Sequence, residues 1–219
     1  PLKAFQDGNF GNIDFMIGTN LEEVKLFTAL DPEISKMGDV GGEKLLIGYL
    51  GRLGIDINKS KGIIDTYRKA REGNFSTEPN EIMNALITDY LFRISTIQLL
   101  EAQSTHQENT YNYLFTWPSP AFDGKLGACH ALEIPFVFNT LDAPGMADFA
   151  GKNPETEAIS NKIMDAWIAF ARTGNPNHDS IPKWPRYDIE KRSTMLIGKE
   201  FKVVEKFLDK ERAAWDGII

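Results

Sequence analysis

Three histidines occur in the chain, at positions 106, 130 and 178, and they keep different company. His106 lies among polar residues at the end of a helical stretch, and His178 lies in the turn-rich run Gly174-Asn175-Pro176-Asn177-His178. His130 sits in Gly127-Ala128-Cys129-His130-Ala131-Leu132-Glu133, a loop just past a strand-like segment. Loops at strand ends can aim an imidazole into a cleft, where it serves as a general base. A second strand-like run leads through Gly18-Thr19-Asn20-Leu21 to the adjacent carboxylates Glu22 and Glu23. Paired acids at a helix start ordinarily complement the helix dipole. Their functional alternative is an acid that orients a histidine and stabilises its imidazolium. On position alone, the ordinary structural role is the commoner one for both groups. Cys129 adjoins His130, but sequence neighbours rarely face each other as nucleophile and base, which argues against a cysteine hydrolase. Three scattered histidines also give no zinc-ligand spacing.

The elements that must position these residues follow from periodicity. The apolar run 13–17, closed by Gly18, predicts a buried strand. Helices are expected over about 22–30, 41–51, 60–72 and 81–103. The last has the clearest period, with Ile82, Leu86, Tyr90 and Ile94 stepping by four beside Met83, Ile87 and Leu91. Tyr111, Tyr113, Phe115 and Trp117 alternate, predicting a strand over 110–117 that Pro118 and Pro120 end. Asn153-Pro154-Glu155 is a helix start, and Gly174-Asn175-Pro176 its end. Ile163, Met164, Trp167, Ile168 and Ala171 form that helix's expected buried face. Strands at 193–197 and 201–204 and a terminal helix over 206–216 complete the pattern. Strands separated by helices predict an α/β sheet with parallel neighbours. Four short strands make a thin sheet, so strand 110–117 is expected to lack helical cover on at least one face.

Composition bounds the function. The 219 residues fit one large domain or two small ones, and 42% hydrophobic with 25% charged residues is ordinary for a globular protein. A net charge of −7 without a basic stripe excludes nucleic acid as a partner. No stretch approaches the length of an uncharged membrane span. The single cysteine cannot form a disulfide within this chain and favours a reducing, cytoplasmic setting.

Three motifs, in order, resemble one family. Phe10-Gly11-Asn12 and Ile17-Gly18-Thr19-Asn20-Leu21-Glu22-Glu23-Val24-Lys25-Leu26-Phe27 look like the acid-bearing region of type-B carboxylesterases. That family includes p-nitrobenzyl esterases and cholinesterases, and there a strand ends in Gly-Thr-x-x-x-Glu-Gly. Leu126-Gly127-Ala128-Cys129-His130-Ala131-Leu132-Glu133-Ile134-Pro135-Phe136-Val137-Phe138 resembles its histidine region, Gly-Ala-x-His, then Glu, then Phe-Val-Phe. Trp167-Ile168-Ala169-Phe170-Ala171-Arg172-Thr173-Gly174-Asn175-Pro176-Asn177, followed by Lys183-Trp184-Pro185-Arg186-Tyr187, resembles its C-terminal signature.

The resemblance implies the C-terminal part of an α/β-hydrolase fold over residues 1–219, with a few mostly parallel strands and many helices. It implies hydrolysis of small carboxylic esters by a Ser-His-Glu triad, without cofactor or metal. His130 would be the base. The five-residue step from Gly18 selects Glu23 over Glu22 as the acid. Leu26 and Phe27 would line the acyl pocket, the alternative being plain helix core, and Glu133 would anchor the histidine loop. One departure is Val24, where the family has Gly. A larger one is that neither Gly-x-Ser-x-Gly nor a Gly-Gly-Gly run occurs in the chain. Nucleophile and oxyanion donors are therefore expected from an N-terminal portion of the same protein, its partner. The rival expectation is a non-catalytic relative that uses the fold for interaction.

Overall fold

A computed structural model describes residues 1–31, 34 and 39–219. The chain opens with a short helix, α1 (Leu2–Gln6), and then enters the first strand, β1 (Phe15–Asn20). The strand expected over 13–17 is therefore displaced toward its C-terminus. Ile13 is half exposed, whereas the polar Thr19 and Asn20 are buried and paired with Leu114 and Phe115. Hydrogen-bond register, rather than apolar content, sets this strand's end.

Among the described residues, six helical elements separate β1 from its neighbour. They are α2 (Lys25–Thr28), α3 (Asp39–Arg52), α4 (Ile57–Arg71), α5 (Pro79–Thr88), a single widened π turn (Asp89–Arg93) and α6 (Ile94–Ser104). Asp56 starts α4 by accepting the backbone N–H groups of Asn58 and Lys59. The helix expected over 81–103 is thus interrupted. Leu91, expected on the apolar stripe, faces solvent, whereas Asp89 and Arg93 within the turn are buried.

The chain then forms β2 (Thr110–Phe115), parallel to β1 with Phe15 opposite Thr110 and Asn20 opposite Phe115. Two short helices, α7 (Ile134–Val137) and α8 (Met146–Ala150), precede the long α9 (Pro154–Thr173). Helices of four or five residues carry no periodic signature, which is why α1, α7 and α8 escape a reading of the sequence. A reciprocal cap between Asn153 and Thr156 starts α9, and Gly174, at φ 72°, ends it. Its buried stripe is Thr156, Ile159, Ser160, Ile163 and Ala166; Ile168 and Ala171, expected inside, face outward. β3 (Thr194–Ile197) adds parallel to β2, and β4 (Phe201–Val204) folds back antiparallel to β3. The terminal helix, α10 (Asp209–Ala213), is shorter than the expected span 206–216.

The described residues form one four-stranded sheet in the order β1-β2-β3-β4. On one face Tyr111, Phe115, Met195 and Ile197 join Cys129, Leu132, Phe136, Ile163 and Trp184 in a core beneath α7 and α9. Trp184 also donates its indole N–H to the Asn112 carbonyl. On the other face Thr19, Asn112, Leu114 and Thr194 meet Thr96 and Ile97 of α6. β2 is therefore covered on both faces, and the expectation of an uncovered side is corrected: α6 returns over the sheet immediately before β2 begins.

A second core lies in the helical layer, where Leu46, Leu50, Ile64, Tyr67, Ile82, Leu86 and Trp215 are buried. It encloses charge. Arg93 makes a two-pronged bond to Asp89, with both N···O distances 2.6 Å. The Tyr67 hydroxyl donates to Asp89 and accepts the Trp215 indole N–H at 2.6 Å. Glu211 of α10 is nearly fully buried, with Arg71 standing 3.5 Å from its Oε1. Burial, reinforced by the Asp89 charge, pushes the Glu211 carboxyl up to about 7 from its ordinary 4.5. The folded chain therefore holds this proton more tightly than the unfolded chain. The contribution is fully present below about 4.5 and is lost as pH rises through about 7. Glu211→Gln should flatten that slope. Urea titrations at pH 5 and pH 8 are expected to show the stability difference between the two conditions shrinking by about 1–3 kcal/mol.

Candidate active site

The parallel ladder does not stop at Asn20. Leu21 N–H donates to the Phe115 carbonyl at 2.9 Å, which carries the chain over the carboxyl end of the sheet. Ligands of open α/β sheets bind at that end of the strands. The turn after β1 there meets the loop that follows β2. Glu22 N–H donates to Ala128 O at 3.0 Å, and His130 N–H donates to Glu23 O at 3.1 Å. The buried Asn20 side-chain amide donates to Cys129 O at 2.7 Å and to Glu133 Oε2 at 2.6 Å.

These bonds bring Glu23 and His130 together, although they are far apart in the chain. Glu23 is 5% exposed. Its Oε1 accepts the Asn20 backbone N–H at 2.7 Å, and its Oε2 lies 2.7 Å from His130 Nδ1. Burial pushes the Glu23 carboxyl above its ordinary value, and the Asn20 N–H and His130 pull it back. With a carboxylate at Nδ1, the neutral imidazole carries its proton there and turns a lone pair outward at Nε2. Among the described residues nothing bonds Nε2, and the His130 side chain is 43% exposed. Chemically, the pair can take a proton at Nε2 and stabilise the resulting cation.

Val24, standing where the resembling family has Gly, adopts φ −76° and ψ −11°, open to any residue. Its buried side chain joins the interior, and its N–H donates to Thr88 Oγ1 at 3.3 Å. The turn is therefore built without glycine. Glu22 does not touch His130; its carboxylate accepts the Ala128 N–H. Glu133 is bonded to Asn20. Cys129 is fully buried in the sheet core, and burial pushes its thiol up to about 11. His106 and His178 lie elsewhere, with their Nε2 atoms against the Gln6 and Lys162 carbonyls.

Phe27 sits with its ring centre 5.9 Å from that of His130, and it is 64% exposed. Leu26 is exposed on the same short helix. Neither is core. Phe92, on the π turn, carries no signal in the sequence, yet its ring centre is 5.3 Å from the imidazole. His130 thus has an aromatic ring from each of two distant segments beside it. Among the described residues no three His, Cys, Asp or Glu side chains gather as a metal site would require. No described helix is long and apolar enough to cross a membrane.

A mostly parallel sheet flanked by helices, with a carboxylate-held histidine at its carboxyl end, has the form of an α/β-hydrolase. Residues 1–215 match the carboxylesterase family, and the chain belongs to that family. It is 31% identical over 203 residues to the para-nitrobenzyl esterase of Bacillus subtilis, covering 93% of this chain and 38% of that protein. It is 29% identical over 204 residues to the phenmedipham hydrolase of Pseudarthrobacter oxydans, covering 91% and 38%. A carboxylesterase crystal structure from Geobacillus stearothermophilus superposes with a TM-score of 0.81 at 33% identity, over 98% of this chain and 43% of that one. The chain therefore has the α/β-hydrolase fold and spans about two-fifths of the length of these relatives.

The exposure of Phe27 has a direct consequence for stability. Phe27→Ala should change the unfolding free energy by less than about 1 kcal/mol. Phe136→Ala, in the fully buried sheet core, should cost about 3–5 kcal/mol. Chemical denaturation of the two variants checks the contrast.

Proposed function

We propose that this chain is the downstream portion of a carboxylic ester hydrolase and supplies two members of a Ser-His-Glu triad, Glu23 and His130. The observation that carries the reading is the 2.7 Å contact between Glu23 Oε2 and His130 Nδ1, with Nε2 open at the carboxyl end of the sheet. In the proposed reaction, a serine hydroxyl from the N-terminal portion attacks the ester carbonyl. His130 Nε2 takes the hydroxyl proton and returns it to the leaving alcohol, which leaves an acyl-serine. Water then attacks the acyl group with the same histidine as base, releasing the acid. Glu23 holds the tautomer and offsets the imidazolium charge. The oxyanion donors belong to the other portion. Leu26 and Phe27 border the acyl group.

Two features support a partner portion. The chain lacks a Gly-x-Ser-x-Gly elbow, and β1 is an edge strand with β2 as its sole neighbour in the described sheet. An edge of that kind accepts a further strand. The single, buried thiol fits a reducing compartment such as the cytoplasm.

In the assembled enzyme Glu23→Gln should lower kcat by about 10³- to 10⁴-fold. His130→Ala should abolish turnover, whereas His106→Ala and His178→Ala should not. A fully active His130→Ala variant would rule the triad out. Phe27→Ala should shift preference toward bulkier acyl groups, read from a p-nitrophenyl ester chain-length series. Residues 1–219 alone should hydrolyse p-nitrophenyl esters no faster than background, with activity appearing when the upstream portion is added. Continued silence after mixing, with both portions folded, would favour a non-catalytic relative.

A further inference from the structure

Glu22 is held as firmly as Glu23, and nothing in the proton-transfer scheme uses it. Its backbone N–H donates to Ala128 O at 3.0 Å, and its Oε2 accepts the Ala128 N–H at 2.8 Å. One residue thus binds both polar groups of Ala128, two positions before His130. A charged acceptor makes the second bond stronger than a neutral one. The carboxylate is not left uncompensated. Lys25 Nζ stands 2.6 Å from Glu22 Oε1 and 2.8 Å from Glu81 Oε2, so the clamp is fixed to the first turn of α5. Burial pulls the Lys25 ammonium down, but the two carboxylates outweigh it and raise it above its ordinary value.

Gly127 is shaped to this contact. It has φ +53°, and a Cβ there would lie 2.1 Å from Glu22 Oε2 and 2.5 Å from its carboxyl carbon. The glycine admits the carboxylate to the loop, and any side chain would push the two apart.

We infer that Glu22 is a positioning residue, clamping the loop at Ala128 so that His130 keeps its place against Glu23. The inference rests on the triad reading and adds a separable part to it. Its effect is on orientation: displacing a catalytic group by about 1 Å can cost about 10²-fold in rate. Glu22→Ala removes the acceptor. Glu22→Gln keeps a carbonyl oxygen for the Ala128 N–H and gives up only the Lys25 pair.

The test measures kcat and KM for a p-nitrophenyl ester in the assembled enzyme, together with hydrogen exchange over residues 126–132. Glu22→Ala should lower kcat by about 10²-fold with KM nearly unchanged. It should also speed exchange in the loop. Glu22→Gln should recover most of the loss in both readouts, staying within about tenfold of the parent kcat. Gly127→Ala should reproduce the loss, and the double variant should lose less than the product of the two, because the same contact is broken only once. If Glu22→Ala does not fold, Gly127→Ala and Glu22→Gln still decide. Retention of kcat in Glu22→Ala or Gly127→Ala, or a Gln variant as impaired as Ala, overturns the inference. Glu23→Gln in the same series separates the two readings. If it is inactive while Glu22→Ala is not, only the clamp fails. If Glu23→Gln is fully active, the triad fails and the clamp with it.

Discussion

Asn20 is the residue on which the candidate site hangs. It is the last residue of β1, 2% exposed, and paired across the ladder with Phe115. From that position its backbone N–H holds Glu23, and its side-chain amide holds the Cys129 carbonyl and the Glu133 carboxylate. Two segments separated by about 110 residues in the chain meet on this one residue. Water cannot take over such bonds in a buried setting, so losing one leaves its partner unsatisfied, at a cost of about 1–3 kcal/mol. The network is worth more as registration than as stability. A parallel pair fixes how far each strand reaches, and Asn20 converts that reach into a fixed approach between the carboxylate turn and the histidine loop.

The helical layer reaches the same place by a different route. Thr88, the last residue of α5, receives the Val24 N–H, and Phe92, four residues on, flanks His130. The π turn that carries Phe92 also places Asp89 and Arg93 inward, where Tyr67 donates its hydroxyl to Asp89 and accepts the Trp215 indole N–H. A regular helix would present its side chains at a different angle. The wide turn thus lets one segment serve a buried ionic network on one side and the surroundings of an imidazole on the other.

Legibility followed the range of the signal. Gly18 with the Glu pair, and Gly127 with His130, lie at short spacings within single stretches of chain, so short motifs carry them. The parallel crossover and α9 were also legible, because long periodic segments and caps are local. Phe92 was not, since the four-residue step of Ile82, Leu86, Tyr90 and Ile94 describes an unbroken helix and contains nothing that marks a widened turn. The extent of β1 is hidden for a related reason. Thr19 and Asn20 are polar, and only their partners on β2 and in the histidine loop make them strand residues. The roles of Asn20 and Glu22 were hidden likewise, because a hydrogen bond to a backbone atom a hundred positions away leaves no pattern in side-chain type.

The two margins of the sheet differ in chemistry. β1 reads Phe-Met-Ile-Gly-Thr-Asn and carries no charge. β4 has an exposed Lys202 at its centre and is bracketed by Lys199 and Glu200 before it and Glu205 and Lys206 after it. Charges of this kind discourage a further strand from docking. Among the described residues the sheet therefore has one margin whose strand is free of charge and one whose strand is not. A chain with two uncharged margins could join copy to copy without limit. A strand docking beside β1 would find no second margin of the same kind on this sheet, so such addition would end at one partner instead of running on as a filament.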